Sequence, residues 1–70
     1  MRLRITLNIR KIMDKKGLTP SDIAPYMPVS ERTIYRTINA NRNPTLLEMV
    51  YYAKVLDVPL EELFSIEWLN

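Results

Sequence analysis

Residues 18–39 read LTPSDIAPYMPVSERTIYRTIN, and two helix starts are visible in them. Thr19 and Ser30 are both N-cap types, each with a hydroxyl able to accept from an amide two or three residues on. Pro20 suits the first helical position, where no amide is needed, and Asp22 sits in the first turn, where a negative charge meets the positive end of the helix. These signals predict a short helix over residues 19–27, a tight turn at 27–29 and a second helix over 30–39. Pro25 is the discordant residue, because it cannot donate to the carbonyl of Ser21 and crowds it.

The helix over 30–39 has two unlike faces. Ile34 and Ile38, at i and i+4, turn inward. Glu31, Arg32, Tyr35, Arg36 and Asn39 fall within an arc of about 140° on the opposite side. Arginine can pair with guanine through two hydrogen bonds, asparagine can do the same with adenine, and glutamate can accept from cytosine. A tyrosine can reach a phosphate or a thymine methyl group. Such a face suits a DNA major groove, although a polar arc is also what an ordinary solvated helix presents. The arrangement before it favours the groove: a capped short helix, a tight turn and a second capped helix form a helix-turn-helix, in which the second member reads base edges.

Outward from this pair, Ile9, Ile12 and Met13 give an amphipathic helix over 7–16, with Lys15 and Lys16 in its last turn and Gly17 as its stop. Residues 39–45, NANRNPT, read as a loop. Thr45 then opens a helix over 45–56, whose expected buried stripe is Leu46, Met49, Val50, Ala53 and Leu56, and a last short helix is expected over 60–64. The two ends follow another period. Met1, Leu3 and Ile5 alternate with Arg2 and Arg4, while Phe64, Ile66 and Trp68 alternate with Ser65 and Glu67. Paired antiparallel, they would form a two-stranded ribbon with one apolar face; unpaired, they would be two frayed tails.

Composition excludes several function classes. Seventy residues form a single domain, 1–70, near the lower size limit for an independent core. The chain has no cysteine and no histidine, which removes disulfides, thiolate or imidazole metal sites and nucleophile–base pairs built on either residue. No Gly-rich phosphate loop is present, and the acidic residues Asp57, Glu61, Glu62 and Glu67 read as a solvated face, so an enzyme is not expected. No apolar run reaches membrane-spanning length and no signal peptide is evident, making a cytoplasmic protein the expectation. Charge is divided along the chain: residues 1–45 hold nine cations and three anions, a net of +6, and residues 46–70 hold one cation and five anions, a net of −4. One basic face for a polyanion fits that division.

The sequence resembles the Cro and phage-repressor type of helix-turn-helix protein, the XRE family, from about Leu7 to Phe64. LTPSDIA matches the family's Leu-Thr-Gln-x-Glu-Leu-Ala, VSERTIYR its Val-Ser-x-x-Thr-Ile-Ser-Arg, and RNPT its Arg-Asn-Pro-Ser. LEMVYYAKVLDVPLEELF matches the family's closing helices. The four pieces stand in register without gaps. The resemblance implies an all-α, five-helix bundle with helices at 7–16, 19–27, 30–39, 45–56 and 60–64. It also implies a transcriptional regulator, of the small repressor kind, that binds double-stranded DNA as a homodimer without a cofactor or small-molecule ligand. Carried over by position, Glu31, Arg32, Tyr35, Arg36 and Asn39 would face bases. Thr19, Ser21, Ser30, Thr33, Asn41, Arg42 and Asn43 would approach the backbone, and amides at the start of the second helix would receive a phosphate.

Several positions depart from the family. Its first-turn Gln in the second helix is Pro20 here, its turn Gly is Pro28, and the Gly closing its third helix is Ala40. Where family members often hold an ion pair between the first and third helices, this chain has Met13 and Ile38, a joint apolar replacement that leaves no buried charge and should bring the two into contact. Tyr51, Tyr52, Phe64, Trp68 and Leu69 could form an apolar patch for a dimer, with Phe64 better assigned to the core and Trp68 able instead to cap the core over the ribbon. The other role open to the fold is a protein-interaction module, such as an antitoxin-like or accessory factor, which Pro20 and Pro28 would suit.

Overall fold

In the computed structural model, which describes all 70 residues, the chain runs through β1 (Arg2–Leu7), α1 (Ile9–Lys16), α2 (Pro20–Ile23), a 3-10 turn (Ala24–Tyr26), α3 (Glu31–Ile38), α4 (Leu46–Leu56), a second 3-10 turn (Leu60–Leu63) and β2 (Phe64–Leu69). Hydroxyl caps start three of the helices. Thr19, Ser30 and Thr45 each accept from the backbone amide three residues on, and Thr19 and Thr45 complete capping boxes with Asp22 and Glu48. The Thr19 amide and hydroxyl, in that order, hold the Asp22 carboxyl below its usual range.

α1, α3 and α4 end alike. In each, the amide just past the end reaches back five residues: Leu18 to the Met13 carbonyl at 2.9 Å, Asn41 to Arg36 at 2.8 Å and Val58 to Ala53 at 3.0 Å. This closure needs one left-handed residue, and those residues are Gly17, Ala40 and Asp57, with φ of 69°, 60° and 56°. Only the first is glycine. Ala40→Gly should therefore stabilise the fold by about 0.5–1 kcal/mol, the relief of left-handed strain exceeding the added freedom of the unfolded chain. A urea midpoint no higher than that of the wild type would contradict this.

The five-helix expectation is corrected to four α-helices and two 3-10 turns. α2 stops at Ile23, short of the expected 27, and Ala24–Tyr26 tightens into a 3-10 turn around Pro25, which removes a donor from the α-helical ladder. Met27 is extended (φ −103°, ψ 153°), as a residue before proline prefers, so the turn into α3 uses no left-handed residue. The segment expected as a helix over 60–64 is a 3-10 turn at its N-terminal end, and Phe64 already belongs to β2. α1 begins at Ile9 because Leu7 is the last residue of β1.

β1 and β2 pair antiparallel, with Leu3 opposite Trp68, Ile5 opposite Ile66 and Leu7 opposite Phe64 on one face, and Arg4 opposite Glu67 on the other. Arg4 and Glu67 form an exposed ion pair at 3.3 Å. Asn8 fastens the ribbon to the helices. Its amide donates to the Leu63 carbonyl at 2.8 Å, and its side chain donates to the Glu62 carbonyl at 3.3 Å and the Ser65 hydroxyl at 3.0 Å. Asn8→Ala should lower stability by about 1–2 kcal/mol in urea unfolding, since the side-chain bonds to both partners go together; an unchanged midpoint would show that the ribbon docks without them.

The core joins Ile9 and Met13 of α1, Ile23 of α2, Ile34 of α3, Met49, Tyr52 and Leu56 of α4, and Leu63. Ile38 packs against it, so the positions that carry an ion pair in family members belong here to one apolar cluster. The stripe expected on α4 is corrected. Leu46 and Val50 are 74% and 51% exposed, whereas Tyr52 and Glu48 are buried. Glu48, Met49, Tyr52 and Leu56 share a face at helical spacing, and that face turns inward because Glu48 closes the cap of α4 while pairing with Arg42.

Candidate nucleic-acid interface

α3 is anchored from beneath. Ile34 and Thr37 are buried, and the Thr37 hydroxyl donates to the Thr33 carbonyl at 3.0 Å while accepting from Arg42 Nη1 at 2.9 Å. At its start the Ser30 oxygen accepts from the Thr33 amide at 3.2 Å and lies 3.0 Å from the Thr33 hydroxyl. With one side fixed in this way, Glu31, Arg32, Tyr35 and Arg36 lie exposed on the other. None of these four makes a side-chain hydrogen bond or ion pair within the protein. Long side chains left free on a rigid helix can reach into a groove without breaking internal contacts.

Asn39 is brought to the same end of α3 but is not free. Its Oδ1 accepts from Arg10 Nη1 at 3.2 Å. Sequence reasoning placed Arg10 only on the polar side of α1, and nothing in the spacing of residues 10 and 39 signals the contact. The structure thus adds a cation from α1 beside the last turn of α3.

Arg42 has an internal role. Its Nη2 donates to Glu48 Oε2 at 3.1 Å and its Nη1 lies closer still to Oε1, a two-point contact between a guanidinium and a carboxylate. Glu48 also accepts from the amide and hydroxyl of Thr45, at 3.0 and 2.8 Å. The pair is sheltered, with 24% of the Arg42 side chain and 5% of the Glu48 side chain exposed. Arg42 first, and the Thr45 bonds after it, overcome the burial that would raise the Glu48 pKa and hold it at about 2; the same contact raises that of Arg42. The effect is to tie α3, through Thr37, to the start of α4 across the loop that carries Asn41 and Asn43, both exposed.

Tyr52 lies beside this network, fully buried, with its hydroxyl unpartnered. Burial raises its pKa, an effect Thr37 and Arg42 oppose. No side chain of the network stands in hydrogen-bond geometry with the phenol oxygen. Tyr52→Phe should then change stability by less than about 1 kcal/mol, and a loss above about 2 kcal/mol in chemical unfolding would place the hydroxyl inside the network.

At the start of α2 the polar groups are also engaged. The Thr19 hydroxyl donates to Asp22 at 2.9 Å and accepts from the Asp22 amide at 3.3 Å, Pro20 has no amide, and the Ser21 side chain is exposed. The amides open to a phosphate there reduce to that of Ser21, next to the Asp22 carboxylate. No three His, Cys, Asp or Glu side chains converge as a metal site, and no helix is long and apolar enough to cross a membrane.

A short capped helix, a turn without a left-handed residue and a second helix with its polar face uncommitted define a helix-turn-helix protein. A family model described as helix-turn-helix, of the XRE type, matches residues 9–63, which is 55 of the 70. The chain belongs to that family, a family of DNA-binding transcription regulators. A comparison with curated proteins finds no match.

Proposed function

We propose that the protein is a sequence-specific DNA-binding regulator, a small repressor that reads an operator's major groove with α3 and does so as a homodimer. The observation that carries this reading is the uncommitted state of Glu31, Arg32, Tyr35 and Arg36 on a helix whose opposite side is locked. Arg32 and Arg36 pair with guanines, and Glu31 and Tyr35 refine the choice of neighbouring bases. Asn39 acts with Arg10 at the last turn, where the guanidinium is positioned to meet the DNA backbone. Asn41, Asn43, Ser21 and Thr33 approach phosphates, while Arg42 holds the loop in shape as well as adding positive charge.

The test is selection of a binding site from random duplexes, followed by titration against salt. The reading requires a palindrome with half-sites about one helical turn apart and affinity that falls steeply with salt. Binding with no enriched sequence would refute base reading. The reading of the fold as a protein-interaction module is favoured by one observation, the engaged start of α2 with an anionic Asp22 beside Pro20; absence of binding to any duplex would support it.

A further inference from the structure

Asn39 sits just past α3 with its backbone held. Its amide donates to the Tyr35 carbonyl at 3.0 Å, and the left-handed Ala40 closes the helix behind it. Only the side-chain torsions are left to decide which polar atom of its carboxamide is offered to a ligand. Arg10 of α1 constrains that choice, because its Nη1 lies 3.2 Å from Asn39 Oδ1. Arginine has donors and no acceptor, so the carboxamide atom that meets it must be the oxygen. The two N–H groups of Nδ2 remain without a partner in the protein. We propose that Arg10 is a positioning residue for base selection: by holding Oδ1 it makes Asn39 a donor, so that the end of α3 selects guanine and not the adenine that an unrestrained asparagine would read. This rests on the operator reading proposed above and assigns the base chemistry of one of its positions.

The edges of the two purines separate them at such a site. In the major groove adenine presents an acceptor, N7, beside a donor, its N6 amino group, whereas guanine presents two acceptors, N7 and O6. Asparagine matches adenine by donating to N7 and accepting from the amino group, and the second of these bonds needs Oδ1. A carbonyl oxygen has two lone pairs, but an adenine amino group approaching the second would stand beside the guanidinium, donor next to donor and positive charge next to a positive edge. Guanine meets no such conflict. Nδ2 donates to N7 or O6, and the nearby guanidinium charge favours an edge made of acceptors. Arg10 can keep its hold on Asn39 when DNA is bound, since only Nη1 is used and Nε and Nη2 make no bond within the protein. Those donors are left for a phosphate oxygen. A chain of hydrogen bonds from phosphate through Arg10 and Asn39 to the base polarises the carboxamide and strengthens its N–H donors. A residue of α1, outside the helix that enters the groove, thereby sets what the end of that helix reads.

Site selection from random duplexes with the wild type and three variants tests this. Arg10 and Asn39 are both exposed, so the variants should keep the helical circular dichroism of the wild type. Asn39→Ala identifies the base position that depends on Asn39, as the one whose preference disappears, and the wild type should hold guanine there. Arg10→Met, which keeps a long side chain but removes the donor and the charge, should move the preference at that position from guanine toward adenine by at least about fivefold. The position that depends on Arg36 should not change. Arg10→Lys, which retains a cation and a donor, should keep guanine. Loss of a phosphate contact alone would weaken binding to every sequence without changing which base is chosen, so the identity of the base is the readout. Adenine at the Asn39-dependent position of the wild type, the same motif from wild type and Arg10→Met, or a motif indifferent to Asn39→Ala would each overturn the assignment and leave the operator reading standing. No motif from the wild type would refute both together.

Discussion

Replacing Arg42 with alanine is expected to lower the unfolding free energy by about 3–4 kcal/mol at pH 7, more than any surface substitution in this chain. The loss arises from what remains behind. Glu48, with 5% of its side chain exposed, would keep its charge and its Thr45 bonds but lose the guanidinium that offsets its desolvation. Arg42→Lys should recover less than half, since one ammonium cannot make the two-point contact with the carboxylate while also donating to Thr37. The pH dependence provides an independent check. The folded-state pKa of Glu48, about 2, lies below its usual 4.5, so as pH falls the unfolded chain takes up the proton first. The wild type should thus lose about 3 kcal/mol as pH falls from about 4.5 to about 2, with the contribution fully present above that window. In Arg42→Ala this acid loss should shrink. Urea unfolding of both proteins at pH 7 and pH 3 measures the difference, and parallel pH profiles would exclude the pair as its cause.

Arg36→Ala should cost about 1–3 kcal/mol of binding to the selected operator, concentrated at one symmetric pair of base positions, with stability nearly unchanged. The side chain is exposed and makes no internal polar contact, so its removal leaves α3 as it was. Arg42→Ala should behave oppositely: it should destabilise the protein and weaken binding to all sequences alike, because it loosens the loop after α3 and removes a positive charge. Affinities for operator and random duplexes, measured at one salt concentration, separate the two. An Arg36→Ala protein that weakened equally on both duplexes would be losing general electrostatic attraction rather than a base contact.

The parts of this fold legible in the sequence were those set by neighbours a few residues apart. Thr19, Ser30 and Thr45 could be identified as caps because the amides they meet are local, and the alternation in residues 1–5 and 64–68 marked the ribbon because period two is a local property. What escaped reading depended on tertiary partners. Val50 and Tyr52 are both apolar enough for the core, and the choice between them was made by Glu48, which turns inward to meet Arg42. Arg42 itself looked like a loop cation available to phosphate, since nothing near it in sequence announces a buried carboxylate six positions on. Asn8 and Arg10 were likewise given meaning only by Glu62, Ser65 and Asn39, far away in the chain. Pro25 is an intermediate case: the lost donor was legible, but not that the chain would continue as a 3-10 turn.

The exposed face of α3 was the most legible feature of the candidate site, because a helical wheel needs only the element and its buried side. The central claim is that this face reads bases, and site selection from random duplexes carried out in parallel with the wild type and Arg36→Ala tests it most directly. The account predicts a palindromic motif for the wild type and, for the variant, the same motif with base preference lost at one symmetric pair of positions. Identical motifs from the two proteins, or no motif from the wild type, would contradict it.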